Sequence, residues 1–370
     1  MRRYRLNSPF GRRTALGLLG AGLAAPFIRP AAAQAAWPEV TSIPDALKGT
    51  GEVRIATFGG TMQETQQKAY FEPFEKLSGI KVHAFPGTNP TKIKAMVETG
   101  NVEWDIAQLS RGSIMNLQKQ GEYFEKIDYS LVDDGVGAEY RFEYGIEMLV
   151  WAHVMGYRTD AFKGAAPKGW ADFWNTTTFP GDRAMIGTGA GNWPELEFAL
   201  MAAGVPADKV YPLDIDKAFA SYDEIKKAVV KWWDTGAVPI QLLTDREVAM
   251  TTVWNGRIAA LQAAGVPAAI SWDQGLIKRD AWGIVKGAKN AVNAMKFAAY
   301  STMAIPQARI AFGIPYGSVN SKSNPYIPPE RLAVLPGAPD IKTRLVNYNY
   351  DWWIENRETV VDRFNKWLLS

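Results

Sequence analysis

From Gly51 onward, apolar and polar positions alternate between two periods. Gly51 to Phe58 (GEVRIATF) alternates and then turns apolar, which predicts a strand. Thr61 followed three residues later by Glu64 reads as a capping box, opening a helix that runs to about Leu77 and stops at Gly79. Ile80 to Phe85 predicts a second strand. Asn89-Pro90 opens a second helix, with Asn as cap and Pro at the first helical position, ending near Gly100. Asp105 to Leu109 is a third strand, followed by a helix ending at Gly121. Residues 36–50, with Pro38, Pro44 and Gly49, form a loose lead-in. The order β-α-β-α-β-α calls for a parallel sheet with right-handed crossovers.

The same grammar restarts near Gly145. Met148 to Tyr157 and Ala184 to Thr188 predict strands, and Trp170 to Trp174 a short helix. Gly189-Ala190-Gly191-Asn192 turns into a helix through Ala203, and Ala218 to Thr235 reads as a long amphipathic helix carrying Trp232-Trp233. Glu247 to Trp254 is a strand, Asn255-Gly256 a turn, and Arg257 to Ala264 a helix. Trp282 to Val285 is a strand, Asn290 to Met303 and Pro306 to Phe312 are helices, and the tail from Asp340 to Leu369 reads as a helix carrying Trp352-Trp353. The expected class is α/β, with two lobes, each a mostly parallel sheet flanked by helices. Such sheets bind ligands at the carboxyl ends of their strands, so the cleft between the lobes is the expected site.

Residues 1–35 change the charge picture. They hold Arg2, Arg3, Arg5, Arg12, Arg13 and Arg29 and no acid, with an apolar run from Ala15 to Ile28 and small residues at Ala31-Ala32-Ala33-Gln34-Ala35. This is the pattern of an export signal, and Gly11-Arg12-Arg13-Thr14-Ala15-Leu16 is similar to a twin-arginine signal. The whole chain has 41 Lys+Arg and 38 Asp+Glu; without the six leader arginines the balance is 35 against 38, a net charge of −3. The basic character belongs to the leader, and no basic stripe interleaved with aromatics points to nucleic acid. Without cysteine there is no disulfide, thiolate chemistry or lipoprotein anchor. After the leader, no apolar run reaches the ~18 residues of a membrane span. The expectation is a periplasmic, unanchored monomer without cofactor or metal.

Chemical motifs are scarce. HExxH, GxSxG and GxxxxGK[ST] do not occur, and Gly187-x-Gly189-x-Gly191 reads as a strand-to-helix turn rather than a dinucleotide fingerprint. The two histidines, His83 and His153, sit in strand-like segments and read as structural. This points to binding rather than catalysis.

Several segments in order resemble one family: Phe58-Gly59-Gly60-Thr61, Trp104-Asp105-Ile106 leading to Ser110, Trp170-Ala171-Asp172-Phe173-Trp174, Val253-Trp254-Asn255-Gly256, and Ala288-Lys289-Asn290 before Ala294-Met295-Lys296-Phe297. They resemble extracytoplasmic solute-binding proteins of ABC importers, in the spermidine/putrescine-binding branch with its type II periplasmic-binding fold. The likeness covers roughly residues 50–320. It implies one lobe over residues 50–147 plus 276–320 and another over 148–275 plus 321–370. It also implies a crossing near Glu147–Gly156, a return near Ala268–Gln274 and a membrane permease as partner. Phe58, Gly60, Thr61, Ser110 and Arg111 would then line one wall; Trp193, Glu195, Trp254, Arg257, Asp280 and Tyr316 would line the other wall and the hinge.

The departures concern charge. The turn where that branch carries paired acids reads Gly191-Asn192-Trp193-Pro194, with only Glu195 nearby. Arg111 and Gly112 follow Ser110 where an aromatic is expected, and Lys278 stands where that branch tends to have Trp. Such a cleft suits a polycation poorly. Arg257, in the first turn of its predicted helix, opposes the helix dipole unless an anion joins it there. Arg257 would grip a carboxylate and Asp280 an ammonium, which favours an ω-amino acid such as γ-aminobutyrate, with putrescine or spermidine as the alternative. The plainer readings are that Arg257 points to solvent or pairs with Asp280 as a hinge salt bridge. An exported carboxylate enzyme using Glu195 and Asp280, or a ferric-ion binder of the same fold, are the remaining alternatives.

Overall fold

The computed structural model describes residues 36–189 and 193–370. The leader read over residues 1–35, and Ala190, Gly191 and Asn192 of the glycine turn, lie outside the described residues. Residues Trp37–Ser370 form one unit built on ten strands: β1 (Glu52–Thr57), β2 (Lys81–Pro86), β3 (Ile106–Ser110), β4 (Arg141–Phe142), β5 (Gly145–Arg158), β6 (Arg183–Ile186), β7 (Val229–Trp233), β8 (Met250–Trp254), β9 (Ala268–Ile284) and β10 (Val346–Asn347). They run in the order β2-β1-β3-β9-β5-β8-β6-β7, with β10 added to β9 and β4 to β5. β1 pairs in parallel with β2 and β3, and β6 with β7 and β8. The long strands β5 and β9 run antiparallel to each other and join the two parallel halves. In β5 only Trp151 is less than fully buried, because helices cover both faces of a near-continuous apolar run.

Apolar side chains gather in two main bodies. One holds Ile55, Phe71, Phe74, Ile106, Trp282, Phe297 and Tyr300. The other holds Trp170, Phe173, Phe198, Phe219, Tyr222, Trp353, Phe364 and Trp367. Each large apolar side chain withdrawn from water contributes about 1.5–3 kcal/mol. Ile327 and Leu335 pack on Ala308 and Ala311 in a smaller cluster. β9 changes its outer partner from β10, at Leu276 and Ile277, to β3, at Asp280 to Ile284. β9 thus passes from one half of the sheet to the other between Ile277 and Asp280.

Other local differences have clear causes. The first helix (Gly60–Gln66) starts without a side-chain cap. Gly59, at φ 83°, turns the chain straight off β1, so Thr61 is not the cap and is exposed. A π turn over Gln67–Phe71 joins it to the helix Glu72–Ser78, which Gly79 ends at φ 80°. Asn89 caps the next helix as expected, accepting from the Thr91 and Lys92 amides at 2.8 and 3.2 Å. The expected helix from Ala218 to Thr235 is a helix (Ile215–Ile225) followed by β7. Val229 and Trp233 point inward there, and a valine–tryptophan run fits a pleated edge better than a helix. The tail helix begins at Tyr350, capped by Asn349, because Val346 and Asn347 first pair with β9.

Candidate functional site

The carboxyl ends of β1, β3 and β8 meet β5 and β9 around Asp280. In register, Asp280 lies between Ser110 of β3 and Leu149 of β5, and Lys278 lies beside Trp151. Asp280 is 5% exposed. Its carboxylate accepts from the Trp151 indole Nε1 at 3.1 Å and from the Gln108 amide Nε2 at 3.3 Å. The Gln108 side chain is itself oriented. Its carbonyl accepts from Gln66 Nε2 at 2.9 Å, and the Thr57 hydroxyl donates to Gln66 Oε1 at 2.6 Å. Burial pushes the Asp280 carboxyl up to about 7, the two hydrogen bonds offsetting only part of the cost. No cationic side chain among the described residues pairs with it.

Tyr316 packs on the start of the helix Asn255–Ala263. A Cβ on Gly256 would come within 2.8 Å of the Tyr316 ring, so the close approach requires glycine there. Asn255 ties the corner together: its Oδ1 accepts from the Ala152 amide at 2.9 Å and its Nδ2 donates to the Pro315 carbonyl at 2.7 Å. Burial raises the Tyr316 phenol, the Asp280 carboxylate adds to the effect, and the Arg257 guanidinium opposes it. Tyr316 thus feels both charges. Arg257 is exposed, with its guanidinium 5.9 Å from the Trp254 ring centroid. It forms no ion pair among the described residues, so the hinge salt bridge with Asp280 is not made. Trp254 meets Trp151 edge-on at 5.9 Å and Trp233 at the same separation. Trp151 therefore joins the acid to the aromatic wall.

On the β1 and β3 side, Phe58 is 46% exposed at the end of β1, and Gly60 and Thr61 are exposed beside it. Ser110 caps the helix Arg111–Gln118, its Oγ accepting from the Ser113 amide at 3.1 Å. Arg111 turns to other partners: Nη1 meets Glu147 Oε1 at 2.7 Å, and the guanidinium lies 4.8 Å from the Phe142 ring centroid. Arg279 approaches the same buried Glu147 at 3.4 Å. Burial still raises the Glu147 carboxyl above its usual range despite both guanidiniums. A cavity of about 420 Å³ is lined by Arg111, Arg279, Tyr348 and Tyr350, not by Asp280 or Arg257.

Glu195 is fully buried and bonded to His153 Nδ1 and, at 2.6 Å, to Lys278 Nζ. Burial opposes its charge, but His153 and Lys278 together hold its carboxyl below the usual range. Burial lowers the His153 imidazole, with the Glu195 carboxylate opposing the shift. Trp193 packs on Tyr348 and Trp353, with ring centroids 6.2 and 5.6 Å away. Neither is grouped with Asp280 and Arg257. The fold thus brings together Asp280, Trp254, Arg257 and Tyr316, with Ser110 beside Asp280 in register. It directs Arg111, Trp193 and Glu195 to partners within the protein.

Sequence reasoning missed Trp151, Gln108 and Asn255. Trp151 looked like one more apolar strand residue. Gln108, a lone amide inside the run Ile106 to Leu109, was the available signal. Among the described residues, no group of three or more His, Cys, Asp and Glu comes together as a metal site. None of their helices is long and apolar enough to cross a membrane.

Residues 69–333 match the family described as bacterial extracellular solute-binding protein. The chain is 36% identical over 323 residues to the gamma-aminobutyric acid-binding protein of Pseudomonas aeruginosa, covering 85% of this chain and 90% of that protein. It is 23% identical over 291 residues to the spermidine/putrescine-binding periplasmic protein of Salmonella typhimurium, covering 74% and 80% respectively. Its fold matches an ABC transporter substrate-binding protein from Bradyrhizobium japonicum with a TM-score of 0.81 and 33% identity, over 86% of this chain and 99% of that one. The chain belongs to the bacterial extracellular solute-binding proteins, and its role is to bind a substrate.

Proposed function

We propose that this protein captures a small ω-amino acid, γ-aminobutyrate first among candidates, and delivers it from the periplasm to the membrane permease of an ABC importer. The observation that carries the reading is the pair of charges around Tyr316: a buried carboxylate, Asp280, without a cationic partner among the described residues, and a guanidinium, Arg257, without an anionic one among them. A zwitterion supplies both. Its ammonium ionises Asp280, and its carboxylate takes the free edge of Arg257 and the amides at the start of the helix Asn255–Ala263. Trp151, Trp254, Tyr316 and Phe58 are the rings available to the methylene chain.

The γ-aminobutyrate-binding relative at 36% identity supports the same ligand. A second cationic end, as in a diamine, finds Glu195 already occupied by Lys278 and His153. The same occupancy weakens the reading of a two-carboxylate enzyme. The leader of residues 1–35 directs export, and β5 and β9 form the hinge between two closing lobes.

Calorimetry with γ-aminobutyrate, putrescine and spermidine tests the reading. Micromolar binding of γ-aminobutyrate corresponds to about −8 kcal/mol. Binding of putrescine or spermidine with no heat from γ-aminobutyrate would overturn it.

A further inference from the structure

Lys278 stands two residues before Asp280 on the same face of β9, roughly 7 Å along the strand. Its ammonium is held on three sides: by Glu195 Oε1 at 2.6 Å, by the Tyr348 ring with the centroid at 4.3 Å, and by the Trp151 ring at 5.8 Å. The Nε1 of that same indole donates to Asp280. A single tryptophan therefore separates a fixed internal cation from the carboxylate free to receive one. Glu195 keeps its second oxygen, Oε2, buried and without a hydrogen-bond partner among the described residues. Its charge is already matched by Lys278.

We propose that Lys278 sets the charge of the ligand: its ammonium occupies the place beside Trp151 and Glu195 that a ligand's second cationic group would take, so the cleft admits solutes with one ammonium and rejects diamines. This rests on the reading that Asp280 receives the ligand's ammonium. A diamine entering the wild-type protein meets Lys278 at short range without a free acid, and like charges in a partly desolvated cleft repel strongly. Removing the Lys278 charge leaves Glu195 as a second acid for the diamine.

The test is calorimetry with γ-aminobutyrate and putrescine on the wild type, Lys278→Met, Lys278→Arg and the double variant Lys278→Met/Glu195→Gln, each checked for folding by circular dichroism and melting. The expected result is at least a tenfold shift of the affinity ratio toward putrescine in Lys278→Met. The wild-type ratio returns in Lys278→Arg, and the gain is lost in the double variant. A folded Lys278→Met that binds γ-aminobutyrate with an unshifted ratio overturns the inference and leaves the ω-amino acid reading standing. So does a gain that survives Glu195→Gln. If Lys278→Met does not fold, Lys278→Gln takes its place under the same criteria. A wild type that binds putrescine but not γ-aminobutyrate overturns the ω-amino acid reading itself.

Discussion

Binding should release a proton, because Asp280, the acid proposed to receive the ligand's ammonium, is substantially protonated in the free protein near neutral pH. Burial holds Asp280 at about 7, and no cationic side chain among the described residues offsets it. An arriving ammonium favours the carboxylate, so its pKa falls on binding and the proton leaves. The ligand's own charges do not change between pH 5.5 and 8.5, which isolates the effect. With a free-protein pKa of about 7, roughly 0.9 proton should be released per ligand at pH 6, about half a proton at pH 7 and almost none at pH 8.5. Affinity should fall about tenfold per unit as pH drops below 7 and be flat above it. Calorimetry in buffers of different ionisation enthalpy reads the proton directly.

Asp280→Asn keeps an acceptor for Trp151 but carries no charge. It should bind at least a hundredfold more weakly, with a flat profile. The unliganded protein gives an independent check. The folded-state pKa of Asp280 lies above the unfolded value, so the folded state holds the extra proton between about pH 4 and 7. The contribution of Asp280 to stability is therefore greatest at low pH and declines as pH rises toward 7. The melting temperature of the wild type should fall relative to Asp280→Asn over that interval. An affinity independent of pH from 5.5 to 8, with no proton released, would refute Asp280 as the ammonium acceptor.

Arg257→Ala should weaken γ-aminobutyrate binding by the ~2–5 kcal/mol of a truncated charge pair, about thirtyfold or more, and leave melting nearly unchanged because Arg257 is exposed and makes no ion pair among the described residues. Equal affinities in calorimetry would remove Arg257 from the site. Trp151→Phe keeps an aromatic ring but deletes the 3.1 Å bond to Asp280. The midpoint of the pH profile should move upward, since the charged acid loses a donor. Arg183, buried between body and loop, donates to the carbonyls of Phe173 and Phe179 at 2.9 and 2.6 Å and to that of Gly181. Arg183→Ala strands all three and should cost more than about 3 kcal/mol. For a unit of this size the melting temperature should then fall by roughly 4 °C or more, and a change under 2 °C would contradict the burial argument.

Features set within a few residues could be read from the sequence. The Asn89 cap, the Gly79 stop and the strands Gly51–Phe58 and Met148–Tyr157 depend on local dihedrals and side-chain periods. β9 could not be read as one strand, because Ser271 to Lys278 (SWDQGLIK) mixes polar and apolar residues where the strand changes partners between the two halves. Trp151 and Gln108 were hidden for a related reason: their role comes from strand register with Asp280, 129 and 172 residues away in sequence. Asp280 and Arg257 were visible because each is a charge that its local segment does not explain.

By that criterion Glu195 looked equally promising. The difference appears only in three dimensions, where Lys278, 83 residues away, and His153 close around it. A charged residue in a predicted cleft becomes a candidate ligand contact only if the fold withholds its counter-ion. Glu195 has one, and Asp280 has none among the described residues. That contrast is why the proposed function gives the external ammonium to one acid rather than the other, and it makes Lys278, which completes the pairing, the residue whose replacement tests the proposal most directly.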